Sequence, residues 1–321
     1  MPKPRIFVTR RIPAPGLDPL SSVCEVDLWT EPRPPPRTVL LERVRGCAGV
    51  LSLLTDPMDA EVMDAAGPGL RVISNLAAGV NNIDLEAAQA RGIAVGHTPD
   101  VLTEATADLA FALLIAASRR MGEAMSSVAA GQWRTWDPLG FVGGDLVGAT
   151  LGVVGLGRIG RALARRCHLG WNMRVLYAGG GLGDAAADLA EAVQVPFATL
   201  LAESDFVSVH APLTAETHHL FDAGAFRRMK PSAVFVNTAR GPIHDQRALY
   251  AALATGEIAA AGLDVTDPEP MAPDDPLLTL ANCIILPHIG SATRTSRDAM
   301  AKIAAENLIA GVQGRPLLFS P

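Results

Sequence analysis

The sequence predicts an α/β fold of two doubly wound parallel-sheet domains. Three observations carry that prediction. Short apolar runs alternate with helical patterns along the chain, a glycine-punctuated strand–turn–helix stands near its middle at Thr150–Arg166, and a long helical pattern closes it. Strands alternating with helices imply parallel βαβ units. With 321 residues, 49% of them hydrophobic, the chain can fill two cores.

The first half contains strand candidates at Arg5–Thr9, Val26–Trp29, Gly49–Leu54, Val72–Leu76 and Ile93–Val95, separated by turn signals such as Pro32–Pro36 and Asn81–Asn82. No glycine fingerprint follows the first strand, which runs into Arg10–Pro15, so this half is α/β without a dinucleotide site. Near Thr98–Asp100 the pattern changes to one long helix, expected over Leu102–Ala130 and opened by Thr103. It is apolar on more than one face, which suits burial between domains or against a second subunit. The following Gln132–Trp136 loop holds two of the four tryptophans. It is an interface anchor, a pocket wall or local packing.

Leu151–Val154 then reads as a buried strand, followed by Gly155, Gly157 and Gly160 and an amphipathic helix opened by Arg158 and Ile159. This is the dinucleotide-binding fingerprint in its required setting. Gly155 permits the tight turn, Gly157 lets a pyrophosphate approach the backbone, and Gly160 lets helix pack on strand. The helix N-terminus offers N–H groups and a positive dipole end to the phosphates. Further strands follow at Arg174–Tyr177, Asp205–His210, Ala233–Asn237, Ala259–Val265 and Cys283–Leu286, then a helix at Ser291–Val312. The expected organisation is a Rossmann dinucleotide-binding domain over residues 100–289. It is inserted in a flavodoxin-like substrate domain formed by residues 1–99 and 290–321.

Ligands of open α/β sheets bind beyond the carboxyl ends of the strands. Three strands of the second half end in Arg240, in Glu269 and in His288. A cation, a carboxylate and an imidazole suit reduction of a carbonyl beside a carboxylate. Arg240 would hold the substrate carboxylate and polarise the carbonyl. His288 would be the general acid, and Glu269 would orient its ring. Other histidines are weaker candidates. Metal binding by His210, His218 and His219 with Asp205 is less favoured than a loop along the cofactor groove, so no metal is expected. His97 and His244 read as ordinary surface or turn residues. Ser208 lacks a nucleophile-elbow pattern.

Together these residues resemble the D-isomer-specific 2-hydroxyacid dehydrogenases over nearly the whole chain. The resemblance rests on Val154–Gly160, His210–Thr214, Val236–Gly241, Gly262–Val265 with Pro268–Pro270, and Leu286–Thr293. Within the family it is strongest to the reductases of glyoxylate and hydroxypyruvate, through Gly96–Thr103, Trp133–Trp136, Leu263–Thr266 and Pro276–Cys283. The resemblance implies that Arg240, Glu269 and His288 are the catalytic trio. It implies that backbone N–H groups at Ala78 and Gly79 hold the substrate carboxylate, that Leu54 lines that pocket, and that Trp136 reaches a neighbouring subunit's pocket. Pro212, Thr238, Asp264 and Gly290 match positions along the nicotinamide half of the cofactor. A homodimer built on the mid-chain helix and its loop is also implied.

Two departures stand out. Asn81 replaces the aspartate usual in the family's Gly-Val-Asp loop. After Tyr177, where NAD-preferring members carry an acid and NADP-preferring members an Arg or Ser, the chain has a glycine loop that includes Gly179 and Gly180. Its backbone N–H groups can hold a phosphate. The cofactor expectation therefore leans to NADP(H), with NAD(H) open.

Composition narrows the rest. Lys and Arg number 27 against 33 Asp and Glu, with no basic run, which argues against nucleic acid. The apolar run Leu109–Ala117 is too short for a bilayer. The four cysteines form no CxxC pair, which suits a cytoplasmic setting. The expected activity is NAD(P)H-dependent reduction of small 2-oxoacids, glyoxylate to glycolate and hydroxypyruvate to D-glycerate. The alternatives are another dehydrogenase of this type, such as one acting on phosphite, and a non-catalytic nucleotide-sensing binding protein.

Overall fold

In a computed structural model describing residues 2–181 and 192–321, the short apolar runs are parallel strands and the segments between them largely helices. Two units form, Met1–Leu102 with Ala292–Pro321, and Thr103–Ser291. In the first unit the order is β1 (Arg5–Val8), α1 (Ala14–Val23), β2 (Glu25–Leu28), α2 (Arg37–Arg43), β3 (Gly49–Ser52), α3 (Ala60–Ala66), β4 (Val72–Asn75), α4 (Leu85–Ala90) and β5 (Ala94–Gly96). The sheet order is β2-β1-β3-β4-β5, the flavodoxin-like arrangement. The second unit contains α5 (Thr103–Ser118), α6 (Met121–Ala129), β6 (Thr150–Leu156), α7 (Arg158–Trp171), β7 (Arg174–Gly181), β8 (Val193–Gln194), α8 (Phe197–Glu203), β9 (Phe206–Val209), α9 (Ala223–Arg228), β10 (Val234–Asn237), α10 (Gln246–Thr255), β11 (Ala260–Leu263) and β12 (Cys283–Ile285). Its sheet order, β12-β11-β10-β9-β6-β7-β8, is Rossmann topology with the direction of winding reversing between β6 and β9. The closing helix α11 (Arg294–Val312) belongs to the first unit.

Local chemistry explains the boundaries. Asp59, Asp84, Asp222 and Asp245 each accept a backbone N–H at the start of α3, α4, α9 and α10, and Thr293 does the same for α11. Such caps satisfy donors that the first helical turn leaves unpaired. In the second unit apolar side chains fill both faces of the sheet. Leu113 and Leu114 of α5 and Leu163 of α7 cover one face with Leu151 and Val153. Phe221, Phe226, Phe235, Leu249 and Leu253 cover the other.

Two expectations are corrected. The long helix over Leu102–Ala130 is two helices, α5 and α6. Arg120 between them is left-handed at φ 52°, and its guanidinium pairs with Glu123 at 2.7 Å and lies 5.6 Å from the Phe141 ring centre. The returning chain also presses on the end of α5, because a Cβ on Gly143 would meet the Ser118 carbonyl oxygen at 2.2 Å. The glycine loop after Tyr177 is also corrected: Ala178–Gly181 continue strand β7, with a register shift opposite Val154 and Leu156. The residues that follow, 182–191, lie outside the described set. Among the described residues no helix is long and apolar enough to cross a membrane.

Close backbone approach makes a prediction at two glycines. On Gly16 of α1, a Cβ would lie 2.3 Å from the Ala301 carbonyl oxygen of α11, whereas on Gly170 of α7 it would meet nothing within 4 Å. Alanine gains about 1 kcal/mol of helix propensity over glycine. Overpacking against backbone costs about 1–3 kcal/mol, so at Gly16 the clash wins. Gly16→Ala should lower the thermal midpoint and Gly170→Ala should raise it slightly, both read by calorimetry.

Candidate active site

Parallel register aligns one edge of the second sheet. Val154, Val209, Asn237, Leu263 and Ile285 stand opposite one another across β6, β9, β10, β11 and β12. The next residues, Gly155, His210, Thr238, Asp264 and Leu286, therefore fall in one row, Gly155 as a turn inside β6 and the others just past their strands. The expected dinucleotide, nicotinamide and catalytic positions are brought to this edge.

At one end of the row the chain turns through Gly155 at φ 88°, where a Cβ would lie 2.7 Å from the Ala211 nitrogen. A Cβ on Gly160 would lie 2.4 Å from the Gly155 carbonyl oxygen, so α7 rests on the turn itself. Gly157 caps α7, and a Cβ there would project into open space. Arg158 and Ile159 form the first turn of the helix. The described residues fit a dinucleotide on two grounds. The helix N-terminus is approachable at Gly157, and the Oγ1 of Thr238, further along the row, is buried with no partner. Gly179, at φ 86°, and Gly180 lie in β7, beside β6. Pro212 is exposed after β9, with its carbonyl accepting from Thr217 Oγ1 at 2.7 Å.

The middle of the row positions Arg240. Asn237 shapes its turn: Oδ1 accepts from the Ala239 N–H at 2.9 Å, and Nδ2 donates to the Arg240 carbonyl at 2.8 Å and to His244 Nδ1 at 3.0 Å. Gly241 lets this turn lie directly on the next one, since a Cβ there would be 1.9 Å from the Thr266 oxygen. Burial pushes the Arg240 guanidinium below its ordinary pKa, and the charge of Glu269 opposes that shift.

Asp264 organises the far end. It is 1% exposed, and its carboxylate accepts the N–H groups of Ile289 and Gly290, both at 2.7 Å. Its carbonyl accepts the His288 N–H at 3.0 Å. These bonds hold His288 in a left-handed conformation, φ 54°, that an imidazole side chain adopts only at a cost. Burial raises the Asp264 pKa. The Nδ1 of His288 lies 2.5 Å from Oε1 of Glu269, with side chains 21% and 29% exposed, so the pair stays reachable. A carboxylate can only accept there, which leaves Nε2 as the outward ring nitrogen.

The remaining expected residues lie elsewhere. Leu54 follows β3, and Ala78 and Gly79 follow β4, all half-buried in the first unit. Asn82 links these two loops by donating to the carbonyls of Leu53 and Asp56 at 3.0 and 2.9 Å. Trp136 is 81% exposed on the loop after α6. Among the described residues no group of His, Cys, Asp and Glu could hold a metal. His244 is corrected: it is fully buried rather than at the surface. Sequence reasoning missed Asn237 and His244 as parts of the Arg240 turn. The available signal was a polar residue ending an otherwise apolar strand.

Burial of His244 has an acid consequence. Desolvation lowers its pKa to about 4, and its Nε2 has no partner among the described residues. The unfolded chain binds a proton on this ring near pH 6.5. Between those values the unfolded state alone gains the proton, so stability falls as pH drops from about 6.5 and levels off below 4. The loss should be on the order of 3 kcal/mol. His244→Gln should remove its share of that slope from the melting-temperature profile, leaving the share of His210, which burial likewise lowers to about 4. An unchanged profile would remove His244 as the cause.

Comparison with known proteins places this geometry. The family model "D-isomer specific 2-hydroxyacid dehydrogenase, NAD binding domain" matches residues 111–290. The chain is 51% identical over 313 residues to a glyoxylate reductase of Korarchaeum cryptofilum, covering 97% of this chain and 94% of that protein. It is 48% identical over 315 residues to the glyoxylate reductase/hydroxypyruvate reductase of Mus musculus, covering 98% and 96%. Among solved structures it resembles an NADPH-dependent glyoxylate/hydroxypyruvate reductase from Sinorhizobium meliloti in complex with NADP and malonate, with TM-score 0.84, 32% identity and coverage of 99% and 97%. With a glycine turn on β6, a row of strand ends beside it and relatives matched over nearly their full length, the chain belongs to the D-isomer-specific 2-hydroxyacid dehydrogenases, a family of oxidoreductases.

Proposed function

We propose that the protein reduces small 2-oxoacids, glyoxylate and hydroxypyruvate first, to the corresponding 2-hydroxyacids. The observation that carries this reading is the His288–Glu269 pair, in the unit that bears the dinucleotide turn and following β12 and β11, the two strands that lie beyond the one ending in Arg240. The two relatives named as glyoxylate reductases support the substrate class. Residues 103–291 serve as the dinucleotide-binding domain and the remainder as the substrate domain.

The roles follow from chemistry. Arg240 presents a planar fork to the oxoacid and withdraws electron density from its carbonyl. Glu269 holds Nδ1 of His288, so that Nε2 delivers a proton to the carbonyl oxygen. Asp264 keeps the His288 backbone in place for that delivery. In the other unit, backbone N–H groups at Ala78 and Gly79 take the substrate carboxylate, and Leu54 lines the pocket. A reduced nicotinamide, when bound, supplies the hydride. Gly155, Gly157, Arg158, Ile159 and Gly160 would hold its pyrophosphate and Gly179 and Gly180 its ribose. Pro212, Thr238, Asp264 and Gly290 would flank its nicotinamide half. The absence of an acid at Ala178–Gly181 favours NADP(H), and the Sinorhizobium meliloti enzyme is described as NADPH-dependent.

A homodimer in a reducing, cytoplasmic setting completes the reading. Met125, Trp133, Trp136, Leu139 and Val147 are 69–83% exposed within one stretch. Such apolar exposure suits burial by a second copy. Trp136 would then contribute to the partner's pocket.

Absorbance at 340 nm with each oxoacid against NADH and NADPH tests the proposal. Turnover is expected with at least one pair, and nucleotide binding without turnover would sink it. Arg240→Ala should lower kcat/KM at least about tenfold, since a hydrogen bond to a charged group is worth roughly 1.5–3 kcal/mol. His288→Asn should lower kcat by roughly 10²–10⁴. Near-normal rates in either variant would remove that residue from its role.

A further inference from the structure

The first sheet also has an ordered edge. Val8, Leu51, Ser74 and Gly96 align across β1, β3, β4 and β5. The next residues are Thr9, Ser52, Asn75 and His97, a polar row ending apolar strands. Two of them reach the loop after β4. His97 Nδ1 lies 2.8 Å from the Ala78 carbonyl oxygen, and Asn75 Nδ2 donates to the Gly79 carbonyl at 3.0 Å. A carbonyl can only accept, so His97 donates. The Thr98 N–H donates to the Ala77 carbonyl at 2.8 Å. Three successive carbonyls are thus held from one side.

The peptide plane converts this into an aim. These peptides are trans, so each N–H points opposite to the carbonyl preceding it. Holding the Ala77, Ala78 and Gly79 oxygens fixes the directions of the Ala78, Gly79 and Val80 N–H groups. Among the described residues none accepts from those three groups. Successive free N–H groups in a turn make an anion-binding concavity.

We propose that His97 and Asn75 are positioning residues, whose side-chain donors lock the Ala78 and Gly79 carbonyls and so build a backbone cradle for the carboxylate of the substrate. The inference rests on the reading that this loop takes the carboxylate. Both donors are braced. Ser52 Oγ donates to Asn75 Oδ1 at 3.0 Å, and Asn75 Nδ2 also donates to Asn82 Oδ1 at 3.0 Å. The backbone of His97 is tied on both sides: its N–H donates to the Phe319 carbonyl at 3.3 Å, and its carbonyl accepts from Asn307 Nδ2 at 3.0 Å. The ring therefore stands on a fixed base.

The test is steady-state kinetics of the full chain with glyoxylate. His97→Leu removes the donor, and His97→Asn restores one at the position of the ring nitrogen. His97→Leu should raise KM for glyoxylate about five- to tenfold, with kcat and KM for the nicotinamide nucleotide held, and His97→Asn should recover most of the loss. Asn75→Asp, which keeps an acceptor for Ser52 but loses both donations, should raise the same KM, with nucleotide fluorescence confirming a folded protein. An unmoved glyoxylate KM in His97→Leu, or an equal loss for glyoxylate and nucleotide, would overturn the positioning role. Methyl glyoxylate separates this failure from that of the underlying reading. If the parent enzyme uses the uncharged ester as efficiently as glyoxylate, no carboxylate is held and the substrate reading itself falls.

Discussion

Parallel pairing is the constraint on which the rest of the molecule depends. Because all strands of a sheet run one way and in register, their exits fall along a single edge. Residues far apart in sequence are then neighbours along that edge: Gly155, His210, Thr238, Asp264 and Leu286 in one unit, Thr9, Ser52, Asn75 and His97 in the other. The strands between them are almost wholly apolar, as sheets covered on both faces require.

The turns at these edges are held by close backbone contact and by buried side chains together. The Arg240 turn lies on the Thr266 turn at Gly241 and α7 rests on Gly155 through Gly160, while the His288 turn hangs from the carboxylate and carbonyl of Asp264. The backbone contacts tolerate little displacement, because neither partner can rotate away as a side chain would. Together they fix the loops that carry Arg240 and the His288–Glu269 pair. The buried Asn237 completes the Arg240 turn by satisfying the Arg240 carbonyl and the Ala239 N–H, and His244 in turn accepts from its amide.

Much of this was legible in the sequence for a physical reason. A strand buried on both faces must be a short apolar run, and the alternation with helical patterns gave two parallel sheets. The glycines after Val154 were legible because a pyrophosphate turn needs them at that spacing. Arg240, Glu269 and His288 stood out because they follow strands and because a cation, a carboxylate and an imidazole suit one chemistry, a reading the family resemblance then joined. The break at Arg120 was hidden, since it depends on Gly143 returning against Ser118. His244 carries no local mark of burial; its partner Asn237 and the Phe235 ring beside it decide that. His97 and Asn75 were invisible as loop supports because their effect depends on the direction of a carbonyl.

The first unit is discontinuous, and this sets an order of events during synthesis. Helix α11 lies so close to Gly49 and Val72 that Cβ atoms on Gly49 and Gly311 would fall 2.8 and 2.4 Å from Leu308 and Val72 side chains. The sheet that needs α11 is made first, while the helix emerges only after residues 103–291. At ribosomal speeds of about 5–20 residues per second, that wait is roughly 10–40 s. The second unit can fold during this interval, but the first must keep an uncovered apolar sheet face from aggregating until its last helix arrives. The discontinuity of the first unit thus sets how long that apolar face waits for its cover.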